Sequence, residues 1–116
     1  MRNYKNLEVW KKSHQLALKI YEVTKIFPSE EKFGIISQLR RASLSIPTNL
    51  VEGASRNSEK EFAYFINIAS GSSAEVEYLL EFSKSIAYLS VEDFDILSKE
   101  VIIIRKMLNS LYQKLK

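Results

Sequence analysis

The chain has 116 residues and a net charge of +3, with 46% hydrophobic and 27% charged residues, no Cys, one His, three Gly and two Pro. A chain of this length buries roughly two-thirds of the surface its unfolded form exposes, enough for one core, so residues 1–116 read as a single domain. Lack of cysteine removes disulfides, thiolate nucleophiles and thiolate-ligated zinc or iron–sulfur sites, and so little Gly and Pro disfavours a turn-rich all-β fold. The longest aliphatic run, Val101 to Ile104, falls far short of the roughly 20 residues that span a bilayer, and no apolar stretch follows Met1-Arg2-Asn3-Tyr4-Lys5. A soluble, cytoplasmic protein with no membrane partner is expected.

Apolar residues recur at helical spacing, and the punctuation predicts four helices, at about residues 7–26, 30–53, 59–89 and 91–115. The first stops at Phe27-Pro28, because a residue before proline is pushed out of the α region. It carries two stripes about 100° apart: Val9, Leu16, Ile20, Val23 and Phe27, and then Leu7, Trp10, His14, Ala17, Tyr21 and Thr24.

Ser29 is placed to cap the second helix, with Glu30 and Glu31 in its first turn and Gly53 as its stop. Pro47 removes the bond to the Ser43 carbonyl, at about 3 kcal/mol. Because Ile35, Leu39, Ala42, Ile46, Leu50 and Gly53 keep helical phase across it, a kinked but continuous helix is predicted.

A capping box, Ser58-Glu59-Lys60-Glu61, opens the third helix. Its run Ala69-Ser70-Gly71-Ser72-Ser73-Ala74 predicts a packing notch, since a mid-helix Gly costs about 1 kcal/mol relative to Ala and is usually repaid by close backbone approach. A hydroxyl-rich ligand contact is the alternative. Ser90 and Asp93 open the fourth helix, whose seam Phe94, Leu97, Val101, Ile104, Leu108, Leu111 and Leu115 has strict 3–4 spacing.

Ile96, Ile103 and Met107 fall opposite that seam. The first and fourth helices therefore carry more apolar surface than one four-helix core uses. Either they are packed all round in a crowded bundle, or the chain self-associates; the expectation is a homo-oligomer with Trp10, His14, Tyr21, Ile96, Ile103 and Met107 at the interface.

Catalytic constellations are absent from the pattern. The lone His14 has Lys11 three residues before it, which excludes both the paired Glu-x-x-His metal site and the H-E-x-x-H zinc site. There is no G-x-S-x-G elbow, and Gly34, Gly53 and Gly71 are too far apart to cradle a phosphate. Glu75, Glu77 and Glu81 read as solvated or salt-bridged carboxylates. No enzyme, metal or cofactor is expected.

The charge pattern is more informative. Residues 1–58 hold ten Lys or Arg against five Glu, residues 59–95 two against eight acids, and residues 96–116 five against one. From Lys32 to Val51 there is no acid, so Arg40 and Arg41 lack a carboxylate within their own helix. Two readings stand. With Arg56, Lys60, Lys11 and Lys12 they form a phosphate-binding surface for nucleic acid. Alternatively, an antiparallel hairpin of helices two and three, with Arg41 opposite about Ser70, lets Arg40 and Arg41 salt-bridge to the carboxylates of helix three, and the protein is a structural adaptor for another protein.

The run Gln38-Leu39-Arg40-Arg41-Ala42-Ser43-Leu44-Ser45-Ile46-Pro47-Thr48-Asn49-Leu50-Val51-Glu52-Gly53, with Arg56 beyond it, resembles the signature of the bacterial 23S rRNA intervening-sequence proteins. Leu7-Glu8-Val9-Trp10, Phe27-Pro28, and Ile68-Ala69-Ser70-Gly71-Ser72 with Glu75 extend the resemblance over nearly the whole chain; Ser73 stands where the family usually has an aliphatic residue. The resemblance implies an all-α, up-down-up-down four-helix bundle that assembles as a homo-oligomeric ring, a pentamer. It implies no activity. Some members are encoded within inserts in ribosomal RNA genes, and distant relatives accompany reverse transcriptases, where a basic ring contacts nucleic acid and the polymerase. RNA, or a nucleic-acid enzyme, is therefore the partner it suggests, at the matching positions Arg40, Arg41 and Arg56.

Overall fold

Four apolar-striped segments joined by short connections can bury their stripes only against one another. A computed structural model describes residues 2–116; Met1 lies outside them. The helices are α1 (Glu8–Val23), α2 (Ile35–Ala54), α3 (Glu59–Ser85) and α4 (Val91–Leu115), and there is no strand among the described residues. Packing of α1 on α2, α2 on α3, α3 on α4 and α4 back on α1 makes an up-down-up-down bundle of 43 × 23 × 19 Å. Leu16 and Ile20 from α1, Leu39, Ile46 and Leu50 from α2, Phe62, Ile66 and Leu80 from α3, and Val101, Ile104 and Leu108 from α4 form its fully buried centre.

Two helix starts follow the predicted caps. Ser58 Oγ accepts the Glu61 N–H at 3.1 Å and Ser90 Oγ the Asp93 N–H at 3.1 Å, each satisfying a donor the first turn leaves free. The α2 start does not: Ser29–Glu31 form a separate 3-10 turn, and α2 begins only at Ile35, after Gly34 at φ −107° and ψ −118°. Glu31 is held instead from across the bundle end, where Tyr88 Oη donates to its Oε2 at 3.0 Å. That bond, together with desolvation and the negative charges of Glu31 and Glu30, raises the Tyr88 pKa above 10.0.

The α-helical part of the first segment ends at Val23, and Thr24–Ile26 tighten into a 3-10 turn before extended Phe27. Helix α2 runs unbroken through Pro47, where Thr48 Oγ1 and Asn49 Nδ2 donate to the Leu44 and Ser45 carbonyls at 2.8 Å. Helix α3 stops four residues before the expected Leu89. Ala87 adopts φ 64°, and the Tyr88 and Ala87 amides return to the Ser83 and Lys84 carbonyls at 2.9 and 3.0 Å, a Schellman ending without its usual glycine.

The close approach expected at Gly71 falls at Gly53 instead. Gly53 lies inside α2, which ends one residue later; a Cβ there would come within 2.8 Å of both Phe62 Cδ1 and Phe65 Cβ, so α2 and α3 approach closely here. Gly71, expected in the notch, is exposed, and a Cβ on it would meet nothing within 4 Å. The small residues around it do separate jobs: Ala69 and Ser73 are buried, Ser73 Oγ donates to the Ser70 carbonyl at 2.6 Å, and the Ser72 and Ser45 hydroxyls meet at 2.9 Å across the α2–α3 contact.

Candidate nucleic-acid interface

The antiparallel arrangement sorts the charges. One end of the bundle collects the start of α1, the end of α2, the start of α3 and the end of α4. Cut at the helix midpoints, that half comprises residues 2–15, 45–71 and 104–116, with ten Lys or Arg against four Glu; the other half has seven against ten acids. The halves thus carry +6 and −3. Within the basic half, Arg2 pairs with Glu59 and Lys11 with Glu8, both at 3.2 Å, and Arg105 with Glu77, while Lys5, Lys12, Arg56, Lys60, Lys106, Lys114 and Lys116 have no carboxylate within 4.0 Å among the described residues. Exposed pairs of this kind contribute at most about 1 kcal/mol and do not bind their cations tightly.

The turn from Ser55 to Ser58 between α2 and α3 carries Arg56, whose guanidinium lies 4.8 Å over the Phe65 ring. In the first turn of α3, Lys60 flanks an open groove against α4, shared with Tyr64, Asn67, Tyr112 and Lys116. Arg2 lies beside them, 4.8 Å over the Phe62 ring. These cations belong to one end of the molecule.

The other residues expected to join them do not. Lys12 lines the groove between α1 and α4, with Gln15, Glu100 and Ile103, and Lys11 there is held by Glu8. Arg40 sits in the acidic half and is engaged within the chain: Nε donates to Thr24 Oγ1 at 2.8 Å, a terminal nitrogen donates to the Tyr21 carbonyl at 3.2 Å, and the guanidinium stacks 4.7 Å over the Tyr21 ring. Arg40 ties the end of α1 to α2. Arg41 projects into the α2–α3 groove beside Gln38, Ser45, Ser72 and Glu75.

Neither arginine forms the expected salt bridge to α3. Glu77 is taken by Arg105 and Glu81 by Lys84, and no carboxylate lies within 4.0 Å of Arg40 or Arg41 among the described residues. The Ser45–Ser72 contact also shifts the hairpin, so Arg41, one turn earlier on α2, is level with Glu75 rather than with Ser70. The six predicted cations thus occupy three places: a basic end, the α1–α4 groove, and the α1–α2–α3 side of the acidic half.

The residues expected at an oligomer interface also divide. Trp10 and His14 stack with ring centroids 5.1 Å apart and planes 4° from parallel, and Tyr4 packs edge-on against Trp10 at 4.9 Å. Trp10 Nε1 is buried without an acceptor. Tyr21 is committed to Arg40. Ile96 and Ile103 are 54% and 47% exposed on α4, whereas Met107 is half-buried, packing against the core and lining an open α1–α4 groove with Leu7 and Leu111. Sequence reasoning missed exposed Leu18 and Leu44, and a seam on the outer face of α3 formed by Tyr64, Ile68, Tyr78 and Phe82. The signal was present as 3–4 spacing through residues 64, 68, 71, 75, 78 and 82, interrupted by Gly71 and Glu75.

Among the described residues no three potential metal-ligating side chains cluster, and no helix is long and apolar enough to cross a membrane. The family model described as 23S rRNA-intervening sequence protein matches residues 5–110. A solved structure, described as a protein of unknown function from the S23 ribosomal protein family of Bacteroides thetaiotaomicron, superposes with a TM-score of 0.84 at 29% identity, covering 90% of this chain and 95% of that one. Comparison with curated proteins finds no match.

Proposed function

Because the chain belongs to the 23S rRNA-intervening sequence protein family, we propose that it is a non-catalytic, cytoplasmic homo-oligomer, a pentameric ring, that binds RNA through the basic end of each bundle. The observation that carries this reading is the charge division between the two halves of the bundle, with Arg56, Lys60, Lys114 and Lys116 unpaired at one end. Phosphate contacts supply most of the affinity of such an interface, and repetition around a ring multiplies weak single contacts. Self-association is supported by exposed Leu18, Ile96 and Ile103.

Binding of labelled structured RNA to the purified protein, measured across a salt series, tests the reading. Affinity should fall steeply with salt, and an Arg56→Gln, Lys60→Gln double variant should reduce the log–log salt slope by about 2 per engaged bundle while the fold stays intact. No binding at low salt sinks the proposal, and salt-insensitive capture of a defined protein with no RNA would favour the adaptor. Sedimentation analysis of the same preparation reads the subunit number.

A further inference from the structure

A phosphate-binding end needs only cations, yet this one also presents aromatic rings. Tyr64 is 63% exposed on α3, and it lines the α3–α4 groove opposite Tyr112 of α4. Lys60 and Lys116 bound the same groove at the bundle end, and Asn67 lines it one turn beyond Tyr64 on α3. The groove is open to solvent, with a volume of about 440 Å³. Neither tyrosine hydroxyl has a hydrogen-bond partner among the described residues, and neither lysine has a carboxylate within 4.0 Å.

The neighbouring Phe65 already carries the Arg56 guanidinium on its face and meets Tyr64 edge-on at 5.3 Å. Cations and an exposed aromatic ring thus lie side by side on this stretch, which is what a stacked base and its phosphates require. Duplex RNA offers no such match: its bases are already stacked, and it is bound mainly through phosphates and 2′-hydroxyls. An unpaired base can stack on the exposed Tyr64 ring, with the Asn67 amide able to hydrogen-bond its edge.

We propose that the Lys60–Tyr64–Asn67–Tyr112–Lys116 groove is a stacking site for an unpaired nucleobase, so that the protein prefers single-stranded to double-stranded RNA. This rests on the RNA-binding reading above, and the test separates the two. Anisotropy titrations of the full chain would use a labelled single-stranded oligoribonucleotide and the corresponding duplex, with Tyr64→Ala, Tyr64→Phe and Lys60→Gln variants. Tyr64→Ala should weaken single-strand binding about 5- to 100-fold with an unchanged salt slope, leave duplex binding unchanged, and be rescued by Tyr64→Phe, which keeps the ring.

Lys60→Gln should lower the salt slope by about 1 on both ligands. If Tyr64→Ala binds the single strand like the parent while Lys60→Gln weakens it, stacking is refuted and phosphate binding stands. If neither RNA binds at low salt, both proposals fall. Should Tyr64→Ala dissociate the oligomer, mapping of a thiouridine-containing strand photo-crosslinked to the parent protein decides: adducts at Tyr64 or Tyr112 uphold the groove, and adducts confined elsewhere overturn it.

Discussion

The same substitution, glycine to alanine, should have opposite signs at two positions of this bundle. In a helix interior alanine is favoured over glycine by about 1 kcal/mol, because glycine loses more backbone entropy on folding. At Gly71 nothing opposes that gain, since a Cβ would lie in open space. At Gly53 a Cβ would press to 2.8 Å on both Phe62 Cδ1 and Phe65 Cβ. Phe62 is a fully buried core residue, and a Cβ atom is fixed to its backbone, so neither neighbour can swing away and α2 must move off α3 by a few tenths of an ångström.

Overpacking of this kind costs about 1–3 kcal/mol, which exceeds the propensity gain. Gly53→Ala should therefore lose about 1 kcal/mol while Gly71→Ala gains about 0.5–1 kcal/mol. With urea m-values of about 1–3 kcal/mol/M, the unfolding midpoints of the two variants should differ by on the order of 1 M. The titrations must use one protomer concentration, since association shifts apparent stability. Equal or greater stability of Gly53→Ala would refute the close α2–α3 approach. A loss at Gly71, or a change of oligomeric state there, would mean that another copy covers the outer face of α3.

Three further variants probe individual contacts. Ala87→Gly relieves the left-handed backbone at φ 64° and should add about 0.5–1 kcal/mol, read as a melting-point rise of about 2–5 °C; no change would contradict the Schellman ending. Arg40→Ala strips Thr24 Oγ1 and the Tyr21 carbonyl of a charged donor and should cost about 1–3 kcal/mol with RNA affinity unchanged, so a stable variant with weakened RNA binding would return Arg40 to the interface. Tyr88 has a raised pKa in the folded state, so its proton is lost from the unfolded chain first, and its contribution, complete below pH 10, fades as pH climbs through the folded value. Denaturation at pH 8 and above pH 10 should show the parent losing more stability on alkalinisation than Tyr88→Phe; an equal loss would rule out the Tyr88–Glu31 bond as the cause.

What the sequence makes legible here is whatever depends on neighbours within one helix. The 3–4 spacing of Leu97, Val101, Ile104 and Leu108 identifies the buried face of α4, and Ser58 and Ser90 cap as their local patterns require. Features decided by a second element are not legible. Ser29 is as good a cap by pattern as Ser58, but Glu31 is drawn to Tyr88, 57 residues away, and α2 starts later. Arg40 lacks an acid on its own helix, and its partners turn out to be a hydroxyl and a carbonyl at the end of α1. A missing carboxylate therefore did not imply an available cation. Gly53 and Gly71 look alike in sequence, and only the position of Phe62 and Phe65 distinguishes them.

The charge division has the same origin. Along the chain the acids look central, yet α3 and α4 are antiparallel, so folding separates Glu59 and Glu61 from the other acids and gathers Glu75, Glu77, Glu81, Glu92, Asp93 and Asp95 in the opposite half. The 43 Å bundle is several times the Debye length of about 8 Å at physiological salt, so the two ends act independently on a bound polyanion. Glu92 and Asp95 are exposed and unpaired at the acidic end. Glu92→Gln with Asp95→Asn raises net charge by two, as Arg56→Gln with Lys60→Gln lowers it by two. If overall charge governed affinity, the two pairs would shift RNA binding by similar factors in opposite directions. An interface confined to the basic end instead leaves the acidic-end variant within about twofold of the parent at physiological salt, and a comparable tightening would refute that localisation.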